Sequence, residues 1–134
     1  MLQNCTELGV SHFVPLLAER SEKTGFNEER ALKIVIEAAE QCGRSDIASV
    51  REPIDMQTAI AEFKDKMPLF ICEQDTDQAD TQQLTQAGVL IGPEGGWSDK
   101  EKELFKTQGL KHLNLHDFTL RAETACVAAA TKLL

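Results

Sequence analysis

Residues 89–101 read VLIGPEGGWSDKE, an apolar strand followed by a glycine-rich loop and the start of a helix. The three glycines lie within five residues, so the backbone can adopt positive φ and approach a ligand closely. Ser98 and Glu101 match the S-x-x-E capping box, which indicates where the helix begins. Because ligands in open α/β sheets bind beyond the carboxyl ends of strands, the segment predicts a ligand-binding loop, with a tight structural turn as the alternative.

The glycine loop (residues 92–96) lacks the spacing of a phosphate-binding motif. Trp97 stands where G-x-x-x-x-G requires its second glycine, and Glu94 stands where a dinucleotide fingerprint requires the second glycine of G-x-G. Glu94 also brings negative charge to a position where a phosphate would need backbone N–H donors. The loop therefore favours a ligand with positive character.

Strands and helices alternate along the rest of the chain. Short apolar runs lie at 12–17, 47–50, 69–72 and 87–91, and a half-alternating strand pattern lies at 111–115. Helical spacing or apolar composition predicts helices at 28–42, 56–63, 98–107 and 122–134. Asn27 is expected to cap the first helix and Gly43 to end it, whereas the polar segment 73–86 is expected to be a loop. This alternation predicts a mostly parallel sheet with helices on both faces.

The composition is that of one ordinary globular domain. The chain has 134 residues and a mass of 14.8 kDa, with 42% hydrophobic and 27% charged residues. It has no apolar run of the roughly 20 residues that a membrane span needs, and its first residues do not form a secretory signal, so we expect a cytoplasmic protein. The net charge of -8 argues against binding nucleic acid through a broad basic surface.

The cysteines and histidines do not predict a metal site. The four cysteines are Cys5, Cys42, Cys72 and Cys126. They are widely spaced and form no C-x-x-C pair, so we interpret them as buried thiols. His112 and His116 are four residues apart, but they fall on a strand and a loop with no third ligand nearby.

A second strand-to-helix segment, residues 113–125, reads LNLHDFTLRAETA. Arg121 and Glu123 stand at the entrance of an apolar helix, where charged groups are costly to bury unless they are paired. The pair therefore either faces a cleft or forms an internal bridge that braces the loop.

Four separated motifs occur in a fixed order along the chain. They are ELGV at 7–10 with Pro15 and ERS at 19–21, EQCGR at 40–44, GPEGG at 92–96 and LRAETA at 120–125. With this set, nearly the whole chain resembles the RsmE-type ribosomal RNA uridine-N3 methyltransferases of the SPOUT superfamily. The resemblance implies an α/β fold with a C-terminal deep trefoil knot and an enzyme that acts on small-subunit ribosomal RNA, with S-adenosylmethionine as its cofactor. Residues 1–134 would be the catalytic domain, without the family's N-terminal RNA-binding β-barrel domain, and would form a homodimer.

The resemblance also implies roles for individual residues. The expected cofactor-binding residues are Phe70, Ile71, Cys72, Gly92, Pro93, Glu94, Gly95, Gly96, Leu115, His116, Thr119 and Leu120. The residues expected to hold RNA or shape the interface are Arg20, Gln41 and Arg44. Arg121 is expected to stabilise the anion that develops on uridine, while Glu123 either acts as the general base or orients Arg121.

The chain departs from the family pattern mildly at Ala122, where the family has Thr, and more strongly in one loop. The family has Gly-Pro-Arg where this chain has His116, Asp117 and Phe118. This departure motivates an alternative, namely a cofactor-binding or dimerisation module that has lost catalysis. A third hypothesis, an unrelated α/β nucleotide binder, holds only if the motif set is a coincidence.

Overall fold

The computed structural model describes residues 1–21, 25–73 and 84–133. In chain order its elements are α1 (Leu2–Glu7), β1 (His12–Phe13), β2 (Leu16–Leu17), α2 (Glu28–Cys42), β3 (Ser49–Val50), β4 (Ile54–Asp55), α3 (Met56–Phe63), β5 (Leu69–Cys72), β6 (Gly88–Leu90), α4 (Asp99–Thr107), β7 (Lys111–Leu113) and α5 (Ala122–Leu133). Every strand pair within these ranges is parallel: β1 with β3, β2 with β4, and β5 with both β6 and β7. The predicted α/β fold with parallel sheets is therefore confirmed.

The central strand β5 is buried because the three-stranded sheet is ordered β6-β5-β7. Phe70 and Ile71 are 0% exposed, and Phe70 is paired with Val89 on one side and with Lys111 on the other. An apolar run without alternation is typical of a parallel strand covered on both faces. The main core cluster joins this sheet to α3 and α4 and comprises Met56, Ile60, Leu69, Ile71, Leu90, Trp97, Phe105 and Leu110.

Helix α2 follows its sequence pattern closely. The Asn27 side chain accepts a hydrogen bond from the Arg30 N–H, and Gly43 ends the helix with a left-handed φ of 75°. The buried positions on its apolar face are Ala31, Val35, Ala38 and Ala39. Both predicted caps are confirmed, and the helix packs against α1.

Several features differ from the sequence predictions, among them strand β4, which was not predicted. The apolar run 12–17 forms two short strands, since Pro15 has no N–H to continue one ladder, and its carbonyl instead accepts from the Ile54 N–H. Helix α1 was not predicted, because its six residues carry no side-chain cap and are too short to show a helical period. Strand β7 ends at Leu113 rather than at residue 115. Most of the predicted loop 73–86 lies outside the described residues.

The prediction that all four cysteines are buried is wrong for Cys42, which is exposed in the last turn of α2. Cys5 is buried, and Cys72 and Cys126 are half-buried. Burial raises the pKa of the Cys72 thiol to about 12 and that of Cys126 to about 11, so both stay neutral at physiological pH. None of the described helices combines the length and the apolar composition needed to cross a membrane.

Candidate functional site

A cavity of about 420 Å³ opens at the carboxyl ends of β5, β6 and β7. Its walls come from the residues that follow each strand, from the glycine loop, and from the segment 114–121, which we call the aromatic loop. Carboxyl ends of parallel strands meet at one edge of a sheet, which is where ligands bind in open α/β folds. A second cavity, of about 340 Å³, lies between α3 and α4, away from this edge.

Two glycines shape the wall formed by the glycine loop, each for a different reason. Gly96 has a φ of 68°, in the left-handed region, and its N–H donates to the Pro93 carbonyl at 2.8 Å. Gly92 does not have positive φ, but a Cβ there would lie 3.2 Å from the Trp97 ring. Of the three glycines in this loop, only Gly96 therefore needs the conformational freedom that the sequence indicated.

Glu101 connects the glycine loop to the N-terminal part of the chain. Its Oε2 accepts from the Ser98 N–H at 2.8 Å, and Ser98 Oγ accepts from the Glu101 N–H at 3.2 Å, so the predicted capping box is confirmed. Its Oε1 accepts from the Glu19 N–H at 2.9 Å. Beside it, Arg20 Nη1 donates to the Gly95 carbonyl at 3.1 Å. These contacts hold residues 19 and 20 against the loop.

Trp97 lines the cavity and carries a buried donor without a partner in the described part of the chain. The residue is only 5% exposed, and its ring packs edge-on against Phe105 with centroids 5.0 Å apart. The buried Nε1 has no hydrogen-bond partner among the described residues, although Trp97 lines the cavity. Buried indole N–H groups normally have a partner, so this donor is suited to a bound ligand.

Glu73 places a carboxylate in the same cavity, immediately after β5. Its Oε1 lies 3.4 Å from Lys102 Nζ, and its Oε2 lies 3.0 Å from His112 Nδ1. The contact with His112 is within ion-pair distance, but its geometry is not that of a hydrogen bond. The Glu73 side chain is 19% exposed, and both Glu73 and Lys102 line the cavity. Sequence reasoning missed these residues; the available signal was the position of Glu73 directly after a buried parallel strand.

The aromatic loop is held by hydrogen bonds within itself and to α5. Asn114 Oδ1 accepts from the His116 N–H at 3.1 Å, and the Asn114 carbonyl accepts from Lys132 Nζ at 2.7 Å. The Phe118 N–H donates to His116 Nδ1 at 3.1 Å, and the two rings stack with centroids 5.3 Å apart. Phe118, which was not among the expected cofactor residues, lines the cavity.

The expected cofactor residues do not all reach the cavity. The eight that line it are Cys72, Gly92, Pro93, Gly96, Leu115, His116, Thr119 and Leu120. Phe70 and Ile71 are enclosed in the core, and Glu94 and Gly95 are exposed outside the cavity lining. Gly95 instead packs against Arg20. A Cβ added at Gly95 would lie 3.2 Å from the Cβ of Arg20.

Arg121 and Glu123 lie at the entrance of α5 with exposed side chains. Neither lines the cavity, but Arg121 stands between Leu120 and Ala122, which do. Within the described ranges, Arg121 forms no ion pair with Glu123 or with another carboxylate. The internal bridge considered from the sequence is therefore absent from this part of the chain.

The expected RNA residues occupy three different environments. Arg20 lies on the glycine loop, and Gln41 is exposed on α2. Arg44 is used within the chain: Nη1 donates to the Thr6 carbonyl at 2.8 Å and to the Val10 carbonyl at 2.9 Å, while Nε and Nη2 bind Asp46. The hydrogen bonds from Arg44 lower the pKa of Asp46. No cluster of three potential metal ligands occurs in the described ranges.

Similarity to known proteins extends over the full chain. The family model of the RNA methyltransferase domain matches residues 1–134. The chain belongs to the RNA methyltransferase domain family. Two relatives, from Aquifex aeolicus and Helicobacter pylori, are both named ribosomal RNA small subunit methyltransferase E. They are 32% and 35% identical over 100% and 93% of this chain, which spans 61% and 55% of their lengths.

Solved structures in this family have the same fold. The ribosomal RNA small subunit methyltransferase E of Neisseria gonorrhoeae bound to S-adenosylmethionine aligns with a TM-score of 0.85 and 31% identity, over 98% of this chain and 57% of that one. A Legionella pneumophila methyltransferase in complex with the bound cofactor SAM aligns with a TM-score of 0.86 and 32% identity, over 98% and 58%. The family resemblance carried by the four motifs is therefore confirmed.

Proposed function

We propose that this chain is the catalytic part of an S-adenosylmethionine-dependent methyltransferase that acts on uridine N3 of small-subunit ribosomal RNA. The observation that carries the proposal is the cavity at the carboxyl ends of β5, β6 and β7, bordered by the glycine loop and the aromatic loop. The glycine loop is one of the motifs that resemble the family, the last two residues of the aromatic loop begin another, and similar structures bind this cofactor.

The residues of the cavity fit S-adenosylmethionine. A volume of about 420 Å³ lies within the usual range for small-molecule sites. The buried Trp97 N–H has no partner in the described ranges, so a polar ligand atom can satisfy it, and the Glu73 carboxylate, which is paired with Lys102, adds a polar group to the wall. The walls combine apolar side chains with polar groups that can orient a ligand, as cofactor sites do.

The walls hold a cofactor mainly through shape and backbone. Gly92 and Gly96 allow close approach on one side, and Leu115 and Leu120 supply apolar surface on the other. The Cys72 thiol also lines the cavity, but with a pKa of about 12 it stays protonated and is a poor nucleophile. We therefore assign Cys72 a packing role and no covalent step.

Bound S-adenosylmethionine supplies an electrophilic methyl group, which bonds to uridine N3 as the N3 proton leaves and S-adenosylhomocysteine is released. The chain's task is to position the base and to stabilise the negative charge that develops on it. We assign the second task to Arg121, whose guanidinium can offer two parallel donors to a uridine oxygen. Glu123 then either accepts the proton or orients Arg121.

The RNA contacts follow from the environments of the expected residues. Arg20 and Gln41 are exposed, so we propose that they contact RNA. Arg44 has most of its donors bound within the chain, so we propose that it shapes the surface instead. Because the net charge is -8, such contacts must be local.

Several finer properties are part of the same proposal. We propose that residues 1–134 form one catalytic domain with helices on both faces of its sheet, and that the C-terminal segment makes the trefoil knot of the SPOUT superfamily. We also propose a homodimer, since α5 carries small residues that permit close packing with a second helix. The cytoplasm, where ribosomal RNA is available, is the proposed location.

Calorimetric titration with S-adenosylmethionine, ATP and NAD tests the proposal. We expect S-adenosylmethionine to bind and the other two not to bind, because the glycine loop disfavours phosphate. Preference for ATP or NAD would overturn it. Binding of S-adenosylmethionine without methyl transfer to small-subunit ribosomal RNA would favour the non-catalytic module instead.

A further inference from the structure

Phe118 is an unusually exposed aromatic residue at the mouth of the cavity. Phe118 is 74% exposed, which is more than any other large apolar residue in the described ranges. One part of the same residue lines the cavity, next to Thr119 and Leu120. An apolar ring at the edge of a ligand cavity offers one face to whatever enters next to the ligand.

The ring is held in a defined orientation. The Phe118 N–H donates to His116 Nδ1 at 3.1 Å, and the rings of the two residues stack at an angle of 30° between their planes. Because Nδ1 accepts this bond, a neutral His116 carries its proton on Nε2. Asn114 fixes the backbone of His116 in turn. A pair that is already ordered loses little conformational entropy when a ligand stacks on it.

The surroundings of the ring favour a base over a phosphate. Asp117, between the two aromatic residues, is exposed and carries negative charge, which repels a phosphate backbone. Stacking on an aromatic face needs no positive charge and is available to every base. It therefore suits a chain whose net charge is -8. Unpaired bases in RNA are commonly recognised by stacking on Phe and His.

The same surroundings argue against the ring by itself forming the contact with a second copy of the chain. The neighbours Asp117, Thr119 and Arg121 are exposed polar residues, so the apolar surface is essentially one ring. A Phe side chain buries roughly 150–250 Å². A stable dimer interface needs about 800 Å² on each partner.

We propose that His116 and Phe118 form a stacking platform for the target base of the RNA substrate. This inference rests on the proposed function, since it assigns the platform to the base that receives the methyl group. The location at the cavity mouth places a stacked base beside the cofactor cavity. His116 acts by positioning the Phe118 ring, and Phe118 contacts the base.

Three substitutions at one position test the platform. RNA affinity is measured by fluorescence anisotropy with a labelled small-subunit RNA fragment that contains the target uridine, and S-adenosylmethionine affinity by calorimetry. We expect Phe118→Ala and Phe118→Leu each to weaken RNA binding about ten-fold, because both lose the aromatic face. Phe118→Trp is expected to retain RNA affinity, because this substitution keeps an aromatic face. Because Phe118 also lines the cavity, S-adenosylmethionine affinity is expected to change in these variants, but by less than RNA affinity does.

Phe26→Ala is the matched control, since Phe26 is also exposed, at 40%, and lies outside the cavity lining. RNA affinity equal to that of wild type in Phe118→Ala would overturn the platform while leaving the proposed function standing. A shift from dimer to monomer in sedimentation of Phe118→Ala would also overturn it, because the ring would then be a subunit contact. Failure of the wild-type protein to bind S-adenosylmethionine would overturn the proposed function and the platform together.

Discussion

The glycine loop and the aromatic loop occupy equivalent places in the sheet but are built differently. Each follows a strand of the β6-β5-β7 sheet, precedes a helix and borders the same cavity. The glycine loop is joined to distant parts of the chain through Glu101 and Arg20. The hydrogen bonds of Asn114, His116 and Phe118 stay within the aromatic loop or reach α5, and the side chains of this loop are mostly exposed.

This difference separates stability from recognition. A wall that keeps its shape needs buried contacts between remote segments, which the glycine loop has. A surface that meets a large, variable substrate needs exposed side chains with fixed geometry, which the aromatic loop has. We therefore expect substitutions around the glycine loop to affect folding more strongly, and substitutions in the aromatic loop to affect activity more strongly.

The largest expected effect on stability is that of Glu101→Ala. The substitution removes the acceptor for the Ser98 and Glu19 N–H groups and leaves two donors without partners in a largely buried site. Hydrogen bonds to charged groups contribute about 1.5–3 kcal/mol each, so we expect a loss of about 3 kcal/mol in the free energy of unfolding. Urea denaturation measures it. Glu103→Ala, at an exposed position of the same helix, is the control, and equal losses in both variants would contradict the contrast.

An intermediate effect is expected for Gly96→Ala. A Cβ at Gly96 meets nothing within 4 Å, so the whole cost comes from its φ of 68° and should be about 1–2 kcal/mol. Gly92→Ala is the matched comparison. It should change the fluorescence of Trp97, the only tryptophan, and weaken S-adenosylmethionine binding with a smaller loss of stability, because its Cβ displaces the ring. The same result for both glycines would show that the two positions do not have separate roles.

The smallest effect on stability is expected for Arg121→Lys in the aromatic loop. Arg121 is exposed and has no ion-pair partner in the described ranges, so the melting temperature should be nearly unchanged. Lysine keeps the charge but loses the two parallel donors, so methyl transfer to ribosomal RNA should fall strongly. Thermal unfolding and a transfer assay measure the two effects. Unfolding of the variant would indicate a structural role, and normal transfer would exclude a catalytic one.

The sequence predicted elements whose signals are local. Asn27 and Gly43 bound α2 as expected, and Ser98 with Glu101 caps α4, because these bonds join residues three or four apart. The buried strand β5 was also evident as a continuous apolar run. Helix α1 lacked such signals, and the exposure of Cys42 depends on where the last turn of α2 faces.

Local patterns and the ordered motifs were enough to indicate the parallel α/β fold, the glycine loop and the family. Whether a residue after a strand enters the cavity depends on contacts between remote segments. Glu73 lies between Lys102 and His112, Trp97 has an unpaired buried N–H, and Arg44 holds distant backbone carbonyls. Chain folding brings these partners together from positions tens of residues apart, and no periodicity or spacing in one segment encodes such a pairing.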